Sequence, residues 1–143
     1  MPKVSAKESL LVGAEPEKVY RVLLDPTHHK RILPDAFVRY ESESEGIVSF
    51  ALKVGGITRE FRVEVLEIEK DRLLREKDLA TGIETDFRLE PHQQGTLVTI
   101  STSYEAPSNI AGTIEAFTAP KFLSKLYNEE LIKLGRYILT IPD

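Results

Sequence analysis

The chain has 143 residues, no cysteine, no tryptophan and a formal net charge of −4. That length suits one domain burying roughly 70% of its unfolded surface. The composition excludes disulfides and thiolate metal sites, and no apolar run approaches the roughly 20 residues of a bilayer-spanning helix. Charges of both signs are interspersed without a basic block, so no nucleic-acid partner is expected. The start MPKVSAKESL has no apolar signal core, which points to a cytoplasmic location.

Val4, Ala6, Leu10 and Val12 alternate with mostly polar neighbours and predict a first strand, with Glu8 at its rim. In GAEPEKVYRVLLDP, Pro16 suits a first helical turn, and Val19, Val22 and Leu23 form a short apolar face. Pro26 stops this helix, and THHKRILP reads as a second one ending before Pro34.

From about Phe37 to Ala106 the pattern is a meander punctuated by Gly46, Gly55-Gly56, Thr81-Gly82 and Gly95. A turn at Gly55-Gly56 sets Val54 opposite Ile57, Leu52 opposite Arg59, Phe50 opposite Phe61 and Val48 opposite Val63. A turn at Lys70-Asp71 sets Val65 opposite Glu76 and Val63 opposite Asp78. A turn at Thr81-Gly82 sets Asp78 opposite Thr85, Glu76 opposite Phe87 and Leu74 opposite Leu89. The HQQG loop sets Phe87 opposite Ile100, Thr85 opposite Thr102 and Ile83 opposite Tyr104. A turn ending in Gly46 buries Val38 and Tyr40. These registers collect the apolar residues on one face.

The last third is helical. Leu123, Leu126, Tyr127, Leu131, Leu134 and Ile138 draw one apolar stripe, and Glu129 can pair with Lys133 one turn on. Ahead of it, Ser108 suits an N-cap, and Ile110, Ile114 and Phe117 repeat the spacing. Pro120 predicts a bend or restart, which would make Asn109 to Phe117 a lid packing Ile114 and Phe117 near a cavity mouth.

The order is strand, two short helices, six antiparallel strands and a long helix, an α+β single domain over residues 1–143. The stretch GAEPEKVYRVLLDPTHHKRILP carries Ala14, Glu17, Val19, Tyr20, Leu23, Asp25, Pro26 and Pro34, and FRLEPHQQGTLVTISTSYE forms a Pro-containing hairpin closing at Gly-Thr. On these motifs the chain resembles the helix-grip START and birch-pollen-allergen superfamily (SRPBCC), in its polyketide cyclase/dehydrase-like branch. It departs in placing its proline at Pro16, one position late, and in having Ile32-Leu33 where a tryptophan is frequent. The resemblance implies a curved seven-stranded sheet gripping the last helix around a mostly apolar cavity. Relatives bind lipids, sterols, polyketides, quinones or plant hormones there, and a minority catalyse cyclisation, aromatisation or dehydration.

The inferred inner face offers Val38, Tyr40, Phe50, Leu52, Arg59, Phe61, Val63, Glu76, Asp78, Thr85, Phe87, Ile100, Thr102 and Tyr104. Ile114, Phe117, Leu123 and Tyr127 face them from the helix. Glu76 and Asp78 are a desolvated carboxylate pair suited to acid–base work, against which stands a place at the rim or on a bulge. Arg59 suits a ligand carboxylate or phosphate, or simply the rim. The hydroxyls of Tyr40, Thr85, Thr102 and Tyr104 are the few oriented polar groups an apolar pocket uses for specificity, or ordinary strand residues. His28 and His29 point about 100° apart on a helix and His92 lies in a distant loop, so no shared metal is expected. No P-loop, dinucleotide glycine motif or Ser-His-Asp set is present, and no cofactor is expected.

The leading expectation is a carrier or binding domain for a small apolar molecule. Alternatives are a small cyclase or dehydratase using Glu76, Asp78, Arg59 and Tyr104, and an interaction module whose cavity is filled by its own side chains.

Overall fold

The computed structural model describes all 143 residues. Seven strands, β1 (Lys3–Val12), β2 (Phe37–Ser44), β3 (Ile47–Val54), β4 (Ile57–Glu69), β5 (Leu73–Asp78), β6 (Glu84–His92) and β7 (Gly95–Glu105), form one curved antiparallel sheet. Its order, β1-β7-β6-β5-β4-β3-β2, is a meander whose first strand pairs with its last. Between β1 and β2 lie the short helices α1 (Pro16–Leu24) and α2 (Pro26–His29) and a 3-10 turn, Lys30–Ile32. Helix α1 starts on Pro16 as expected, whereas Pro26, read as its stop, also opens α2, where the Asp25 carboxylate accepts the Thr27 N–H as cap.

Helix α3 (Ile110–Tyr137) closes the fold and packs chiefly on β1. No helix is long and apolar enough to cross a membrane. The main core forms where α1 and the second half of α3 meet β5, β6 and β7. Val19, Val22, Leu74, Phe87, Ile100, Leu131 and Leu134 are almost wholly buried there. Burying each such large side chain contributes about 1.5–3 kcal/mol. A smaller cluster, Leu33, Tyr40, Val48 and Val63, sits under β2, β3 and β4.

Most strand registers are as expected: Val54 faces Ile57, Phe50 faces Phe61, Val63 faces Asp78, Val65 faces Glu76 and Phe87 faces Ile100. The β5–β6 register is shifted by two residues, with Glu76 opposite Thr85 and Leu74 opposite Phe87. The connection is longer than Thr81-Gly82 alone. It runs from Asp78 to Ile83, whose backbone groups bond at 2.8 Å, and the Asp78 carboxylate accepts from Thr81 N and Oγ1 at 2.9 and 2.7 Å. A slip of two keeps every side chain on its face, so the inner list survives it. Ile83 precedes β6 and does not pair with Tyr104.

Val38 is a second correction. A bulge between Phe37 and Arg39 turns it out, 54% exposed, and puts Phe37 on the inner row opposite Leu52.

Helix α3 corrects three more expectations. Asn109, rather than Ser108, is the N-cap, and its side chain accepts the Gly112 N–H at 2.7 Å. The helix runs through Pro120 without a break. Its stability comes from the packed residues Leu126, Tyr127, Leu131 and Leu134 beyond the proline, and from this cap before it. Ile114 and Phe117 are 57% and 73% exposed and do not pack on a cavity mouth, because Gly112 is the residue turned towards the body of the protein. A Cβ there would fall 1.7 Å from the Pro107 carbonyl oxygen. Lys133 does not take Glu129 as its partner: it reaches Leu33 O at 2.9 Å and Asp35 at 3.8 Å, while Glu129 lies 4.0 Å from Lys125.

Candidate functional site

Helix α3 packs chiefly at the β1 edge of the curved sheet, while α1 covers β5, β6 and β7 in the core. The inner row across the sheet reads Ala6, Thr102, Thr85, Glu76 and Val65 through β1, β7, β6, β5 and β4. Thr85, Glu76 and Val65 are only partly buried, as are Phe50, Phe61, Tyr104 and Leu123. Glu76 nevertheless feels strong desolvation. Glu76 is thus set deep among protein atoms yet still reached from outside.

The inner face of β2, β3 and β4 carries an aromatic tier. Phe37 stands 5.3 Å from Phe50, and Phe50 stacks on Phe61 at 5.2 Å. Tyr40 stacks on His29 at 5.5 Å, and His29 meets Phe87 edge-on at 5.6 Å. The tier thus runs from the open side at Phe61 to the core at Phe87. Such offset stacks and edges present flat apolar surface to a planar guest.

Three ionisable groups lie at the inner end. His29, on α2, gives Nδ1–H to Leu23 O at 2.7 Å, which leaves Nε2 facing Glu130 Oε1 at 3.7 Å. Glu130 projects from α3 and is 5% exposed. Burial opposes a charge on His29, but the Glu130 carboxylate and then Glu76 outweigh it and carry the ring up to about 9. Burial pushes Glu76 up to about 7; the cation on His29 pulls against that and Glu130 adds to it. Burial also holds the Tyr40 and Tyr127 hydroxyls protonated far above the usual range. The inner end is therefore a cationic imidazole, one carboxylate and one carboxyl that titrates near neutrality. Such a set can donate or accept a proton.

The open side is different. Arg59 is exposed, opposite Leu52. It is near enough to Tyr104 to act on its hydroxyl, which donates to Glu115 of α3. Asp78 is half-buried, with its carboxylate committed to the turn before Ile83.

The structure thus brings together Tyr40, Phe50, Leu52, Phe61, Val63, Glu76, Thr85, Phe87, Ile100, Thr102, Leu123 and Tyr127 on the inner face. Arg59, Asp78 and Tyr104 lie towards its rim, and Val38, Ile114 and Phe117 face away. The Thr102 hydroxyl is directed to Glu84 O at 2.7 Å. His29 and Glu130 were missing from the expected site. Glu130 carried a legible signal: it lies three residues after Tyr127 and four before Leu134, on the apolar stripe itself.

A groove of about 730 Å³ runs between β1 and α3. Lys7, Glu8, Lys121, Lys125 and Glu129 line it together with Ala6, Pro120 and Ile132. It lacks the walls an apolar ligand needs.

The fold is shared with solved structures. The KanY protein (ms6282) superposes with a TM-score of 0.82 at 23% identity, covering 96% of this chain and 99% of that one. TTHA0849 from Thermus thermophilus gives 0.76 at 20% identity, covering 97% and 98%. The di-domain ARO/CYC StfQ of the steffimycin biosynthetic pathway gives 0.71 at 15% identity, and the match spans 96% of this chain and 51% of StfQ. No curated protein matches in sequence. Residues 3–138 match the model of the polyketide cyclase/dehydrase and lipid transport family, and the chain belongs to that family.

Proposed function

We propose that the protein binds a small, mostly apolar molecule in the concave space between the sheet and α3. The observation that carries this is the aromatic tier Phe37, Phe50 and Phe61, which lies on the inner face yet stays partly exposed. A ligand burying about 200 Å² of this surface gains on the order of 5 kcal/mol before entropy costs. Membership of a family named for lipid transport and polyketide chemistry supports the same reading. A cytoplasmic setting without a nucleic-acid partner completes it, and cell fractionation with a mobility-shift assay checks both.

Native mass spectrometry of gently purified protein, followed by solvent extraction, tests the proposal. A co-purifying apolar molecule of defined mass supports it. A protein that emerges apo and binds no member of a panel of sterols, quinones and polyphenols does not carry ligands.

One observation favours a second reading, acid–base catalysis on the bound molecule. Glu76 titrates near neutrality beside His29 and Glu130, as a proton-transferring group should. Incubation with a poly-β-ketone mimic should then yield cyclised or dehydrated product with wild type and none with Glu76→Gln. Equal yields from both would leave a carrier only.

A further inference from the structure

We propose that the inner end of the pocket takes a hydrogen-bond donor on its ligand, such as a phenol, alcohol or amine, and refuses a carboxylate. This rests on the concave space being the ligand site.

The first support is an inventory of cations. Anchoring a ligand carboxylate needs an arginine or lysine free to meet it. His29 is the one basic side chain of the inner end; its Nδ1 bonds to Leu23 O and its Nε2 faces Glu130 Oε1 at 3.7 Å. Lys133 turns out to Leu33 O and Asp35. Arg75 lies on the opposite face of the sheet, where it grips Asp86 at 2.7 and 3.1 Å. Arg59 is at the exposed rim. A carboxylate driven inward would meet Glu76 and Glu130, with only His29, already faced by Glu130, to offset them.

The second support is an acceptor without a donor. Nothing in the protein hydrogen-bonds the Glu76 carboxyl; its surroundings act on it only through desolvation and the charges of His29 and Glu130. Its row neighbours are Val65, which has no side-chain donor, and Thr85, which does not bond to it. No side-chain polar atom of the protein is sealed away without a partner. The Glu76 carboxyl therefore opens onto the pocket, and a donor on the ligand is what completes it. A fatty acid lying the other way, head at Arg59, would press methylene groups onto that carboxyl. The charged and titratable groups facing Glu76 are His29 of α2, Tyr40 of β2, and Tyr127 and Glu130 of α3.

Three probes of one shape test this: 2-naphthol, 2-naphthoate and naphthalene, titrated at pH 8 by tyrosine fluorescence quenching. The expected order is naphthol first, naphthalene next and naphthoate last. Naphthol should exceed naphthoate by at least about tenfold, as a charge-assisted hydrogen bond implies. Glu76→Gln should shrink that ratio several-fold, while Arg62→Gln, on the outer face, should leave it unchanged. Naphthoate binding as tightly as naphthol to wild type overturns the proposal, and so does an unchanged ratio in Glu76→Gln. If all three bind equally, the pocket stands and this selectivity fails. If none binds, not even naphthalene, the pocket reading fails and takes the selectivity with it. Should Glu76→Gln not fold, the wild-type order decides alone.

Discussion

The imidazole Nε2 of His29 lies 3.7 Å from Glu130 Oε1 with both side chains buried, and this pair ties the short helix α2 to the long helix α3. Glu130→Gln should let the His29 ring fall from about 9 back towards 6.5, because burial is then opposed only by Glu76 and the Leu23 carbonyl. Breaking a buried pair on one side costs about 3 kcal/mol. The folded-state value lies above the ordinary one, so the pair's contribution is complete below about pH 6.5 and fades as pH rises through about 9. Urea denaturation of both proteins at pH 6 and pH 10 should show a large difference at the first and a small one at the second. NMR titration of the ring protons checks the pKa directly.

Glu76 makes the opposite prediction for a substitution. Its carboxyl is raised from 4.5 to about 7, so the folded state holds the proton more tightly than the unfolded chain. Stability is then complete below pH 4.5 and declines as pH rises through about 7. Glu76→Gln removes this penalty and should stabilise at pH 8.5 by up to about 3 kcal/mol, with little effect at pH 4. Loss of the attraction to His29 offsets part of the gain. A variant less stable than wild type at pH 8.5 would mean that the Glu76 carboxylate is well solvated.

Much of this was legible because strand parity is robust. Apolar alternation set Phe50 against Phe61 and Val65 against Glu76, and even the two-residue slip between β5 and β6 left Glu76 and Thr85 on the same face. What parity does not carry is a bulge, so Val38 reads as inward although Phe37 takes that place. Nor does it carry tertiary override of a local signal, so Pro120 reads as a break in a helix that packing holds together. The His29–Glu130 pair joins residues distant in the chain. Only the unexpected acidic residue on the stripe of α3 hinted at it.

The close approach of α3 to Pro107 gives a steric prediction. Gly112→Ala puts a methyl group where the Pro107 carbonyl already sits, 1.7 Å from its oxygen. The start of the helix must then lift or its turn deform. A loss of about 1–3 kcal/mol is expected in thermal denaturation, despite the better helix propensity of alanine. Unchanged or higher stability would show that the 107–112 turn yields freely.

Pro120 divides α3 energetically even though it does not divide it geometrically. Before it, Ile110, Ile114 and Phe117 are exposed, and the tethers are the Asn109 cap and the Tyr104–Glu115 bond. After it, Leu126, Tyr127, Leu131 and Leu134 are buried. Amides of residues 113–119 should therefore exchange with solvent faster than those of 126–134. Pro120→Ala restores a helical N–H and should narrow that gap. Equal protection in the wild type would contradict this division.

The central claim is that the face of the sheet under α3 holds an apolar ligand, and one titration tests it most directly. Phe61 stacks on Phe50 inside that face, whereas its neighbour Arg62 lies on the outer face bonded to Glu43 at 2.9 Å. An environment-sensitive apolar dye should bind the wild type in the micromolar range, corresponding to about 8 kcal/mol. Arg62→Gln should bind it equally well, and Phe61→Glu should not bind it while remaining folded by circular dichroism. Dye that binds Phe61→Glu as tightly as wild type, or a folded wild type that binds no dye, would contradict the account.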